Sequence, residues 1–173
     1  MHKLINPDSI DILGRSPLAH ACLKGRVEVV ELIFKSYLLK NQLIDPNVCD
    51  VQSGNRPLAN ACLSDRWQVV QVFLDHFLSR DTLRLDIFKP TGREGKILLD
   101  AACTSYVGPS WKTVKVLLDS RLINRGLVDP AKAYEHLSKR MELAGNGTDR
   151  HSDIEEVAQR LRELGYPKQE PEV

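Results

Sequence analysis

The sequence predicts an all-α fold of repeated helix pairs, and three observations predict it. First, Gly14-Arg15-Ser16-Pro17-Leu18-Ala19-His20-Ala21-Cys22 returns as Gly54-Asn55-Arg56-Pro57-Leu58-Ala59-Asn60-Ala61-Cys62, an offset of 40, and more weakly as Gly95-Lys96-Ile97-Leu98-Leu99-Asp100-Ala101-Ala102-Cys103, 41 further on. Second, an apolar stripe at helical spacing follows each copy: Val30, Ile33, Phe34 and Tyr37, then Val70, Phe73, Leu74 and Phe77, then Val114, Val116, Leu117 and Leu118. Third, a short break divides segment from stripe, so each copy holds an inner and an outer helix.

Each element has a local cause. Pro17 and Pro57 suit the first turn of an inner helix, where a missing N–H loses no hydrogen bond. Lys24-Gly25-Arg26 and Ser64-Asp65-Arg66 form the joins, with Gly25 fitted to a left-handed helix end. The third join, Tyr106-Val107-Gly108-Pro109-Ser110, is longer, and Pro109-Ser110 is expected to break the chain and cap the helix opening at Trp111.

Gly-x-Ser-Pro-Leu-x-x-Ala, a short turn and the run Val27 to Ile33 together resemble the ankyrin repeat, over residues 11 to 128. That family carries Gly-x-Thr-Pro-Leu-His-x-Ala-Ala, a Gly-rich turn and a Val-Val-x-Leu-Leu outer helix. The resemblance implies a solenoid of antiparallel helix pairs stacked side by side, with β-hairpin or loop fingers projecting from the inner-helix end. The family repeat is roughly 33 residues, and the excess here follows the outer stripe. About two extra helical turns are therefore expected, through Tyr37-Leu38-Leu39 and Phe77-Leu78. The family's Thr is Ser16, Arg56 and Ile97 in the three copies and its His is Ala19, Ala59 and Asp100, so packing must carry more of the cohesion.

A single domain over 1–166 follows, with repeats at about 11–49, 50–89 and 90–128 and a degenerate fourth pair at 129–166 acting as a cap. Residues 167–173 are expected to form a flexible tail. Because Asn6-Pro7-Asp8-Ser9-Ile10 resembles Asp45-Pro46-Asn47-Val48, the chain is expected to start inside a finger, as a piece of a longer protein would.

The composition, 42% hydrophobic and 27% charged over 173 residues, is that of a folded domain, and a net charge of +1 supplies no field for nucleic acid or an anionic membrane. No stretch is apolar enough for a signal peptide or membrane span, so an intracellular chain, in cytoplasm or nucleus, is expected. Cys22, Cys62 and Cys103 share one repeat position and are expected to pack as small hydrophobes, leaving Cys49 as the exposed thiol. The histidines form no ligand or dyad spacing, and Gly92-Arg93-Glu94-Gly95-Lys96 lacks the span of a phosphate loop, fitting finger three instead. Trp67 and Trp111 occupy equivalent positions, as does Val27, and periodic placement favours sealing the inter-helix turn over anchoring a partner.

No catalytic constellation, metal set or cofactor motif emerges, so the expected role is binding another protein or peptide. By position, the resemblance implies a surface of finger tips and exposed inner-helix faces: Ile12, Leu13, Arg15, Leu23 and Lys24; Gln52, Ser53, Asn55, Arg56, Leu63 and Ser64; Arg93, Glu94, Lys96 and Thr104. Basic tips at Arg15, Arg56, Arg93 and Lys96 would suit a partner carrying acidic groups, since residues 1 to 128 hold 17 basic and 13 acidic side chains. Nucleic acid is a weaker expectation. The competing role is that of a substrate-recognition arm of a larger enzyme or host-directed effector whose catalytic domain lies outside these residues.

Overall fold

A computed structural model describes residues 9–35, 45–78, 98–104, 110–143 and 151–166. Among them run α1 (Pro17–Lys24), α2 (Val27–Lys35), α3 (Pro57–Leu63), α4 (Trp67–Leu78), α5 (Leu98–Cys103), α6 (Trp111–Leu117), α7 (Ser120–Asn124), α8 (Pro130–Leu143) and α9 (His151–Glu163). The described residues contain no strand.

The helices form two layers. Helices α1, α3, α5 and α8 pack in sequence along one layer, α2, α4, α6 and α9 along the other, and each inner helix also touches the outer helix that follows it. The same backbone bond closes three of the inter-helix joins. Ala21, Ala61 and Ala102 each accept at 2.9 Å from the residue before the next helix: Arg26, Arg66 and Ser110. Gly25 and Asp65, equivalent in the repeat, both turn left-handed, at φ 69° and 55°.

Sequence chemistry accounts for the helix starts. Ser16 Oγ accepts from the N–H of Ala19 at 3.1 Å, capping α1 above Pro17. Arg56 holds the corresponding position of α3 and supplies no side-chain cap. Ser110 also differs from expectation, because it precedes α6 without capping it. Its buried hydroxyl instead donates to the carboxylate of Asp65 in the preceding join, with Thr113 Oγ1 2.6 Å away. A cap has been exchanged for a tie between neighbouring pairs.

One continuous core runs from Leu18 in α1 to Leu161 in α9. Between α2 and α4 it is aromatic: the Phe34 ring meets Phe73 edge-on at 4.8 Å between centroids and Phe77 at 5.3 Å. Cys22, Cys62 and Cys103 lie buried in the inner layer, and Cys49 is exposed. Burial raises all three core thiols, Cys103 to about 12, with the Asp100 carboxylate adding to the effect.

Helix α4 extends through Phe77 to Leu78, as the long repeat requires, whereas Tyr37, Leu38 and Leu39 lie outside the described residues. The third outer helix departs from the expectation of extension. It stops at Leu117, and Asp119 then caps the separate helix α7 through the N–H of Arg121 at 2.7 Å. Asp119 also binds the Arg121 guanidinium, Oδ2 to Nη2 at 2.7 Å, so the local carboxylate outcompetes continuation of the helix. Helices α8 and α9 pack on α5 and α6 as a fourth pair, in the position expected of the cap.

Candidate functional site

The loops preceding α1 and α3 are tight turns organised by aspartates, with no strand in them, so of the expected hairpin or loop fingers these two are loops. In the first, Asp11 N–H donates to Arg15 O at 3.0 Å and Gly14 N–H donates to Asp11 O at 2.8 Å. Asp11 Oδ1 accepts from the N–H groups of Leu13 and Arg15 at 2.9 Å each, and Oδ2 takes the Arg15 side chain. The Arg15 N–H is the foremost reason that the Asp11 carboxyl sits below the usual carboxylate range, with the guanidinium reinforcing it.

The second turn is built the same way with one more residue. Asp50 N–H donates to Asn55 O at 2.9 Å, and Asp50 Oδ1 accepts from Gln52 N–H at 2.7 Å and Ser53 N–H at 3.1 Å. An Asp three or four residues ahead of a Gly, shortly before Pro, was the available sequence signal for both turns.

The two turns touch. Gly14, at φ +74°, lies so close to the second turn that a Cβ on it would stand 2.4 Å from Val51 Cγ2. What they present outward is apolar: Ile12 is 100% exposed, Val51 70% and Ile10 55%. Val51 and Ile10 were missed by positional reasoning, although a β-branched residue inside a polar turn is itself a signal.

The structure sorts the expected contact residues into distinct groups. Ile12, Leu13 and Arg15 gather with Gln52 and Ser53 at the turn edge; Ile12 and Gln52 are exposed, Leu13 and Ser53 half-buried. Arg15 is clamped by Asp11, leaving its side chain 19% exposed. Lys24 and Thr104 are exposed and Leu23 and Ser64 half-buried at the other end of the inner helices, about 12 Å from the turns at 1.5 Å per residue.

Asn55 and Leu63 are buried and unavailable to a partner, and Arg56 is half-buried. Asn55 faces inward because its own backbone closes the second turn, its O accepting from Asp50 and its N–H donating to Ser53 Oγ at 3.2 Å. Leu63 ends α3 between two neighbours, α1 and α5. Arg93, Glu94 and Lys96 lie outside the described residues.

A groove of about 510 Å³ crosses the outer layer, lined among others by Trp67, Lys112, Lys115, Val116 and Glu156. The two repeat-equivalent tryptophans part company here. Trp111 is 4% exposed within the core, whereas half-buried Trp67 forms a wall of the groove. Lys115 pairs with Glu156 and holds its carboxyl below the ordinary range. A second groove, about 560 Å³, lies at the first helix pair between Ile10, Pro17, His20, Arg26 and Val29.

Asp100 Oδ1 meets His136 Nε2 at 3.3 Å between α5 and α8, away from both grooves. Among the described residues, no three His, Cys, Asp or Glu side chains converge as metal ligands, and no helix is long and apolar enough to cross a membrane. The chain matches no family model and no curated protein.

Proposed function

We propose that the chain is an ankyrin-like protein-binding module that presents preformed apolar turn tips to a partner protein or peptide. The carrying observation is Ile12, wholly exposed on a turn held by five Asp11-centred hydrogen bonds and backed by exposed Val51. An aliphatic side chain so displayed gains free energy only by being covered, and rigid display reduces the ordering cost of binding. The two-layer ladder of helix pairs and the recurrent Ala-closed joins support the ankyrin-like reading.

The partner's chemistry shifts with this geometry. Arg15 is already engaged by Asp11, so the described tips favour an apolar contact over an acidic one. Lys24 and Gln52 remain at the margins to fix orientation.

The test compares the wild type with an Ile12→Ser/Val51→Ser variant in quantitative affinity capture from cell lysate. The variant should lose the specific partner by more than about tenfold, as expected for removing two central anchors, while its thermal midpoint stays unchanged. An unchanged partner profile would sink the proposal.

A further inference from the structure

We propose that the free face of the first helix pair is a self-association surface, on which a second copy of this chain docks through antiparallel packing of the two α2 helices. The internal repeat shows that this is a stacking face. Val29, Val69 and Thr113 are equivalent, yet Val29 is 45% exposed while Val69 and Thr113, on outer helices that pack against a preceding outer helix, are fully buried. Pro17 is exposed where Pro57 is buried, and Leu32 is 69% exposed where Val72 and Val116 are partly buried. Among the described residues, nothing covers the first member of the series.

Charge placement on α2 selects the occupant. Glu28 and Lys35 sit at opposite ends of the exposed stripe, with Val29 and Leu32 between them. A two-fold axis beside Leu32 brings Glu28 of one copy to Lys35 of the other, and the reverse, so the surface is complementary to itself. It also sets the two helix dipoles antiparallel. Lys35 now bonds Glu31 at 2.7 Å, an exposed pair easily exchanged for an intermolecular one.

The opposite end of the stack cannot take this role. There α8 and α9 expose Lys132, Glu135, Lys139, Glu155, Gln159 and Arg162, with ion pairs Glu135–Lys139 and Glu155–Arg162 at 2.6 Å each. Head-to-tail docking would press the apolar face onto these charges, whereas head-to-head docking joins like with like and closes at two copies.

The test is sedimentation equilibrium of the full chain across roughly 1–500 µM, the range in which small interfaces assemble. The wild type should form a concentration-dependent dimer, and Leu32→Glu should raise its dissociation constant at least about tenfold. Glu28→Lys and Lys35→Glu should each weaken it, by juxtaposing like charges, and the double variant should return to within about twofold of wild type. All three positions are exposed, so far-UV circular dichroism should be unchanged throughout, and the charge exchange gives an answer even should Leu32→Glu misfold.

A wild type that stays monomeric, as it would were the face reserved for another protein or another segment, overturns the proposal. So does a dimer indifferent to these variants, or a double exchange that fails to restore it. Ile12 and Val51 are untouched, so this failure is separable from failure of the turn-tip proposal.

Discussion

Replacing Phe34 by Ala removes the ring that joins the first helix pair to the second. Phe34 is 1% exposed and meets Phe73 at 4.8 Å and Phe77 at 5.3 Å, both edge-on. A Phe side chain buries about 150–250 Å², which at ~25 cal/mol per Å² is an upper limit of roughly 4–6 kcal/mol. Part is retained by the Ala methyl, and core Phe-to-Ala changes typically cost about 3–5 kcal/mol, the range expected here. Because neighbouring pairs stabilise one another, the loss should be local in its first effect. Hydrogen exchange should show α1 and α2 opening well before α6 and α9, and urea denaturation should report the destabilisation. A double-mutant cycle with Phe73→Ala should return about 0.5–1.5 kcal/mol of coupling. A Phe34→Ala loss under about 1 kcal/mol, or uniform loss of protection along the stack, would refute the reasoning.

Gly14→Ala forces a side chain into the left-handed region and against Val51, so a loss of at least about 1–2 kcal/mol is expected in denaturant titration; an unchanged midpoint would mean that the turns do not meet. Cys49 should react with a thiol reagent at once in the native protein, whereas Cys22, Cys62 and Cys103 react only on unfolding, since all are buried and raised in pKa; four fast thiols would contradict the core. The Arg121 side chain is the main cause holding the Asp119 carboxyl below its ordinary value of 3.8. A depressed folded pKa means stabilisation that is fully present above that value and lost as pH falls through the lower, folded one. Asp119→Asn keeps a capping side chain but not the charge, so it should flatten part of the stability loss seen as pH falls below the ordinary value of 3.8. Identical pH profiles for variant and wild type would deny the clamp.

Much of the architecture was legible because helical periodicity states which side of each helix is buried. Val30 and Phe34, like Val70, Phe73 and Leu74, lie where their three-and-four spacing places them, and the alanine of each copy closes its join. Less legible was anything decided by competition between partners. Ser110 had the composition of a cap but found Asp65 across the join, and the Arg15 charge was claimed by Asp11 four residues earlier. Asn55 and Leu63 carried the right repeat positions for a contact surface, but closure of the second turn and the neighbours of α3 buried them.

Sequence alone determined the register of the helix pairs, their internal faces and the small residues between them, because these follow from local spacing and side-chain volume. The tertiary structure decided which equivalent positions remain uncovered. Val29 and Val69 are the same residue at the same point of the repeat, one nearly half exposed and the other sealed, and no local property separates them. Burial in a stack belongs to the neighbour as much as to the residue, and the first pair has no neighbour before it among the described residues.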